Sequence, residues 1–428
     1  MKPPISIRSG SRGFTLVELM VAMTGGLFLS IVVFALSRDA SRFYQREARM
    51  ANATLAGVSG FERLSGDVAR AGHLVTPNIT TDPHVCNRPQ ASWPQALRTL
   101  RALVVDSSTT STSSTEVGVA GITPKGLIIA GALTTPEILL TNSVSQATGG
   151  AWEIALNLAT PSAARLGLST ASSATAANQA VLSSVFTSGG VGRIVRLRDH
   201  GMDQYAVVAS ATAGTSSAVI TLAPAPDLVR LVRGGVQCGV HDLGEGMALS
   251  VVDLVRYDLR SMVNDANYAS LYKASGLNTG GTSGNALPYE GGRVELVRVE
   301  LDPGGVEIAN TREIVGEYAV DLQISAWSLA SATDPTLTAV APSTSIDTTY
   351  PTQLLRGVHL RFAVRSREAD RLRPISGLGG TNSSDIYRIG LGGSISGTSD
   401  VGIPFAQYAR VRTFQSDIAL RNLENSVW

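Results

Sequence analysis

The sequence predicts an α+β chain: a long N-terminal α-helix, membrane-spanning in its first half, packed on a β-rich globular head. Three observations carry this expectation. Phe14–Ser37 holds one acid, Glu18, and no basic residue. From Arg38 to about Gly72, apolar and small residues recur at steps of three or four, the helical period. Beyond Gly72 the chain changes to short β-rich runs separated by Gly/Ser/Thr/Pro stretches, the signature of strands and turns.

The first element is set by charge and length. Residues 1–13 carry Lys2, Arg8 and Arg12 and end at Gly13. As a helix, Phe14–Ser37 would extend about 36 Å, enough to cross about 30 Å of hydrocarbon. A secretory signal is cut after its apolar segment, at small residues. Here the available cut, Gly13 | Phe14, lies before it, so processing would leave the apolar segment at the new N-terminus. An ionised Glu18 within lipid costs about 2.5 kcal/mol or more and wants a partner. The nearest cation after cleavage is the α-amino group of Phe14, its own or that of an adjacent subunit. Such a pair would set axial register between packed helices. The plainer alternative is a signal anchor whose Glu18 sits in the headgroup region.

The basic leader, Gly13, Phe14-Thr15-Leu16-Val17-Glu18 and the apolar helix together resemble the prepilin signature of type IV pilins and type II secretion pseudopilins. The resemblance implies that a membrane-embedded prepilin peptidase cuts between Gly13 and Phe14 and N-methylates Phe14. It gives Glu18 a role in assembly. One departure is Thr24-Gly25-Gly26. Two adjacent glycines cost about 1 kcal/mol each against Ala in a soluble helix, and would let the segment bend or melt locally on leaving lipid.

The helix continues outside the membrane. Tyr44, Ala48, Ala51, Leu55, Val58, Phe61, Leu64, Val68 and Ala71 form one stripe, while Arg42, Arg46, Arg49, Glu62, Arg63, Asp67 and Arg70 mostly take other faces. Gly57, Gly60 and Gly66 weaken the pattern. From Phe14 the helix would run about 85 Å at about 1.5 Å per residue. The expected organisation is a leader over 1–13, a membrane and filament-core helix over 14–37, its amphipathic extracytoplasmic half over 38–72, and the head over 73–428.

In the head, strands are expected at Ala102–Asp106, Leu127–Ala130, Glu137–Leu140, Trp152–Leu158, Arg193–Leu197, Tyr205–Ala209 and Ala218–Leu222. Later strands are expected at Leu249–Arg260, Arg293–Leu301, Ala319–Trp327, His359–Arg365 and Arg410–Leu420. Val294, Leu296, Val299 and Leu301 interleave with Glu295, Arg298 and Glu300, with a one-residue slip that predicts a bulge. Leu360, Phe362 and Val364 alternate with Arg361 and Arg365, predicting one buried and one solvated face. The polar tracts 107–115, 160–177, 277–287, 330–349 and 377–400 read as exposed loops. The 160–190 stretch is the best candidate for a boundary between two domains.

Composition excludes several classes. A net charge of +1 gives no electrostatic footprint for nucleic acid. Charged residues at 16% and aromatics at 5% fit an exported β-rich protein better than a cytosolic enzyme. The sequence has no Gly-x-Ser-x-Gly elbow, His-Glu-x-x-His, phosphate loop or dinucleotide fingerprint, so no catalytic residue and no cofactor is assigned. Asp199-His200 and His241-Asp242 put an acid beside a histidine, and read as loop residues. Cys86 and Cys238 are the two cysteines. An exported domain favours their disulfide, whose loop of about 150 residues would contribute up to about 5 kcal/mol. Zinc held by His84, Cys86, Cys238 and His241 is a sharper alternative, loose in spacing, and unpaired thiols are a third. No metal ligand is assigned.

Later segments extend the resemblance. Leu249–Arg260, Ser270-Leu271-Tyr272-Lys273, Ile314–Ile324, Arg356–Ser366 and Ala419-Leu420-Arg421-Asn422-Leu423, in that order, look like PilW-type minor pilins of the type IV pilus. Glu62–Gly72 resembles the same family's helix end. The resemblance implies a non-enzymatic assembly component that primes or caps the pilus. Its implied partners are the prepilin peptidase, other minor pilins, the major pilin, a PilY-type tip protein and the inner-membrane assembly platform. It would sit in the inner membrane as a single pass with a periplasmic head, and in the extracellular pilus. The alternatives are a J-type pseudopilin of type II secretion or a membrane-anchored exported hydrolase or binding protein.

Overall fold

The computed structural model describes residues 15–106, 124–147, 150–230, 238–262, 265–268, 294–340, 351–366, 388–391 and 407–424. The leader, Gly13, Phe14, and the tracts 107–115 and 277–287 lie outside the described residues. The long helix α1 (Leu16–Ala69) is continuous. By contacts the chain divides into Met1–Asn52 and Ala53–Trp428.

In the first unit, Leu16–Ser41 is long and apolar enough to cross a membrane, and none of it is buried within the chain. Gly25 and Gly26 lie inside unbroken helix, where an added Cβ would meet nothing beyond the helix's own backbone within 4 Å. Thr24 Oγ1 donates to the carbonyls of Met20 and Val21 at 2.9 and 3.0 Å, which satisfies its hydroxyl within the helix.

The second unit begins with the last turns of α1 and adds α2 (Gln95–Arg98), α3 (Pro161–Arg165) and α4 (Thr175–Phe186). Its strands are β1 (Leu103–Asp106), β2 (Gly126–Gly131), β3 (Leu139–Gln146), β4 (Trp152–Leu156), β5 (Thr187–Ser188) and β6 (Val191–Gly192). Next come β7 (Ile194–Asp199), β8 (Met202–Ala213), β9 (Ala218–Leu222), β10 (Ala248–Arg260), β11 (Glu295–Leu301) and β12 (Glu313–Gly316). The last are β13 (Ala319–Leu329), β14 (Leu337–Val340), β15 (Leu355–Arg365), β16 (Arg388–Leu391) and β17 (Gln407–Ala419).

Strand β10 organises the head. Its first residues pair with both β3 and β7, and the antiparallel order β10-β3-β4-β9-β8-β7 returns to β10, closing a ring. Ile154, Leu156, Val195, Leu197, Ala206, Ile220 and Leu249 are buried in its core. The later residues of β10 leave the ring and pair with β2 and β11. A second sheet runs β14-β13-β15-β17-β16. Leu64 and Val68 of α1, with Ala71 just past its end, share one core with Leu127, Ile129, Tyr257 and Leu296 on the first sheet and Leu322, Leu360 and Phe362 on the second.

Several expectations change here. The 160–177 tract is no continuous loop. Thr160 Oγ1 accepts from Ala163 N at 3.3 Å, and Pro161 opens α3. Helix α4 then buries Leu182, Val185 and Phe186, at steps of three and one, in the ring's core. Within the 330–349 tract, Leu337–Val340 forms β14 against β13. The bulge predicted in β11 is not found there: β11 pairs with β10 without a shift, and the slip against β12 leaves its extra residue, Val315, on β12. The alternation on β11 does not separate core from solvent, because Glu295 is fully buried and Arg298 is 9% exposed. Arg365, expected in solvent, is buried with its guanidinium over the Tyr318 ring at 5.1 Å.

Candidate functional site

The start of α1 is built by a reciprocal cap. Thr15 donates from its backbone N and its Oγ1 to Glu18 Oε2, each at 3.0 Å, and Glu18 N donates to Thr15 Oγ1 at 3.2 Å. This is a capping box, Thr-x-x-Glu, in which each side chain satisfies the other residue's otherwise unpaired amide. Glu18 is exposed on the helix, as are Leu16, Val17, Leu19 and Met20 around it. Gly13 and Phe14, the expected cleavage and methylation positions, lie outside the described residues.

The other end of α1 is fixed by small residues and one buried acid. A Cβ on Gly57 would stand 2.5 Å from the Phe414 ring, and one on Gly60 2.7 Å from the Val315 carbonyl oxygen. These glycines let the helix backbone lie directly on the second sheet and on β12, whereas Gly66 has nothing within 4 Å. Phe61 stacks beside Phe414 with ring centroids 6.0 Å apart.

Asp67, expected on a polar face, is fully buried. It accepts from Tyr257 Oη at 2.7 Å, from Arg298 Nε at 3.0 Å and from Arg70 Nη2 at 2.6 Å. Burial pushes its carboxyl pKa up, but the bonds from Tyr257 and Arg298 outweigh that and hold it below the usual carboxylate value. Burial, with the Asp67 charge beside it, pushes the Tyr257 hydroxyl pKa well up. Gly72, at φ +77°, ends the helical segment in the left-handed region, and a Cβ there would meet Leu423. Asn422 Nδ2 donates to the Ala69 and Ala71 carbonyls at 3.3 and 3.2 Å. The C-terminal segment thus satisfies the last carbonyl of α1 and one in the turn that follows it.

Cys86 and Cys238 are bonded, S–S 2.02 Å, with Cα atoms 5.4 Å apart. Cys86 lies beside β8, its amide donating to the Asp203 carbonyl at 2.8 Å. With both sulfurs in this bond, the four-residue zinc set loses its thiolates. His84 Nδ1 instead lies 3.2 Å from Asp82 Oδ1, and His241 Nδ1 lies 2.7 Å from Asp199 Oδ2. The two acid–histidine neighbours read as loop residues therefore meet in space.

Sequence reasoning found Glu18 but missed Thr15, although the spacing Thr15-x-x-Glu18 announces the cap. Asn422 gave no signal of its own, because its partners are some 350 positions away in sequence.

Residues 8–24 match the family described as the prokaryotic N-terminal methylation motif. No curated protein and no solved structure matches the chain. The chain carries a prepilin-type methylation motif, which belongs to a structural rather than an enzymatic family. The motif supports a type IV pilin or pseudopilin-like component, processed by prepilin peptidase and assembled with other pilins.

Proposed function

We propose that this chain is a minor pilin of the type IV pilus, of the PilW type, which primes or caps pilus assembly after processing. The observation that carries the reading is the methylation motif at 8–24, leading directly into a membrane-length apolar helix. In this reading residues 1–13 are the leader, 14–37 enter the membrane and then the filament core, 38–72 lead into the head, and 73–428 form it. Prepilin peptidase cuts between Gly13 and Phe14 and methylates the new amine. The protein rests in the inner membrane with its head in the periplasm until it joins other minor pilins, the major pilin and a PilY-type tip protein on the assembly platform.

Glu18 is the assembly residue. Its exposed carboxylate caps its own helix and stays within reach of the Phe14 amine of a neighbouring subunit. An ammonium left alone in an apolar bundle would cost about 3–5 kcal/mol, so the pair fixes register between subunits. The test is a strain whose only copy carries Glu18→Ala. The variant should be exported, cleaved to an N-methylated Phe14 by mass spectrometry, and retained in the membrane, yet be scarce in sheared pili, with few pili on the surface. Normal piliation with normal incorporation would refute the assembly role. A mature N-terminus other than Phe14 would refute the prepilin reading. Intact pili together with a loss of secreted enzymes would place the chain among the J-type pseudopilins instead.

A further inference from the structure

The hairpin β7–β8 and the segment after Cys238 bring three metal-ligating side chains together. Asp199 pairs with Met202 across a two-residue turn, His200-Gly201, with φ of +47° and +82°. Both central residues are left-handed, the geometry that closes a tight hairpin, and it presents His200 at the tip. His241 is anchored separately. Its neighbour Val240 donates its amide to the Val229 carbonyl at 2.8 Å, and Cys238 is tied to Cys86. The two segments are distant in sequence, yet the His200 and His241 rings lie 4.3 Å apart between centroids, tilted by 55°. Asp199 lies against both, Oδ2 at 2.7 Å from His241 Nδ1 and Oδ1 at 3.7 Å from His200 Nε2. One ligand atom from each of the three falls within 4.8 Å of the other two.

We propose that Asp199, His200 and His241 form a surface site for one divalent transition-metal ion of borderline softness, with zinc as the best fit. Two imidazoles and a carboxylate are the donor types such an ion takes, and three protein ligands leave a fourth position for water or another group. Metal–ligand bonds of about 2.0–2.2 Å place neighbouring donors of a tetrahedron about 3.3–3.5 Å apart. The Asp199–His200 separation of 3.7 Å is already close to that. His200, whose side chain is 64% exposed, has room to rotate towards the other two donors. An acid–histidine pair alone needs no second imidazole, and His359 with Asp417 shows the plain version, Nδ1 to Oδ1 at 2.8 Å. What sets this cluster apart is a second ring, held over the pair by a left-handed turn. The site is independent of the assembly reading, since it lies on the ring of strands and uses no residue of α1. A bound ion would tie the hairpin tip to the Cys238 segment beside the disulfide.

The experiment uses full-length oxidised protein in detergent, with zinc binding followed by calorimetry and by metal analysis after dialysis. One zinc per chain should bind and should resist displacement by excess magnesium, which prefers oxygen ligands. His200→Asn keeps a residue tolerated in the left-handed turn and should weaken binding by more than about tenfold, the loss seen even for outer-shell partners. His241→Gln should do the same, while His359→Gln, on the second sheet, should bind as the parent does. Peptide mapping of an intact Cys86–Cys238 link checks that each variant is folded. No zinc bound by the parent, undiminished binding in both His200→Asn and His241→Gln, or an equal loss in His359→Gln would overturn the proposal.

Discussion

Asp67→Ala should destabilise the head by about 3–5 kcal/mol, the range for removing one side of a buried ion pair. The three partners contribute unequally. Arg70 is 43% exposed, so its bond to Asp67 falls among surface pairs worth about 0–1 kcal/mol. Tyr257 and Arg298 are buried and cannot turn to water. A buried tyrosine hydroxyl left without its acceptor costs about 1–3 kcal/mol. Among the described residues Arg298 would keep only Glu300 as an ion-pair partner, at 4.0 Å, with its side chain 11% exposed. Tyr257→Phe removes a single bond to the carboxylate and should lose only about 1.5–3 kcal/mol. The assay is unfolding of the full chain in detergent, followed by fluorescence of Trp93 and Trp152, both buried in the head. The pH dependence follows from the sign of the shift. Asp67 titrates below its unfolded value in the folded state, so its contribution is complete above about pH 4 and is lost as pH falls through the folded value. Asp67→Asn should abolish that part of the acid sensitivity. Equal losses in Asp67→Ala and Tyr257→Phe, each under about 1 kcal/mol, would refute the reasoning and mean that water already solvates Arg298.

Two further outcomes follow from the helix seat and the disulfide. Gly60→Val should cost about 1–3 kcal/mol or more, because its Cβ meets the Val315 backbone oxygen at 2.7 Å and backbone cannot swing aside as a side chain can. Gly66→Ala, with open space around it, should instead gain up to about 1 kcal/mol; thermal unfolding of the pair should move the midpoint in opposite directions, and a common direction would contradict the assigned contacts. Cys86→Ser with Cys238→Ser should lower stability by up to about 5 kcal/mol, and non-reducing peptide maps of the parent should show one linked peptide pair. Free thiols at both positions, or an unchanged midpoint in the double variant, would count against it.

What was legible in the sequence is what repeats at short range. The three-to-four spacing predicted the burial of Leu64 and Val68 in α1 and of Ala71 just past it, although Tyr44 and Leu55 of the same stripe are exposed, and the alternation of Leu360, Phe362 and Val364 predicted the buried face of β15. What escaped is decided by pairings at long range. Nothing local shows that Leu249 lies in register between Leu139 and Leu197, the pairing that closes the ring. Buried polar residues invert the usual inference, so Asp67, Arg298 and Arg365 read as solvent-facing until their partners are known. Glycines mislead in the same way. Gly57 and Gly60 lower helix propensity, yet they are where the helix needs no side chain because a sheet occupies that space. The small residues around 175–186 hid α4 for a related reason, since Ala and Ser dilute the apolar stripe that Leu182, Val185 and Phe186 complete.

In the proposed assembly the Glu18 carboxylate would serve both the local cap with Thr15 and a contact to a neighbouring subunit. Both bonds from Thr15 end on Glu18 Oε2. A carboxylate offers about four acceptor positions over two oxygens, so the cap leaves room for an ammonium. The cap also holds Glu18 against the first turn, where the positive end of the helix dipole favours its charge. In lipid, that internal partner spares the carboxylate from being wholly unpaired before any neighbour arrives. Pairing with a second subunit's amine, as proposed, would then add to the cap rather than compete with it. In the proposed pilus the register of assembly would therefore rest on a side chain already oriented by its own helix, and Glu18→Ala would remove both the orientation and the charge.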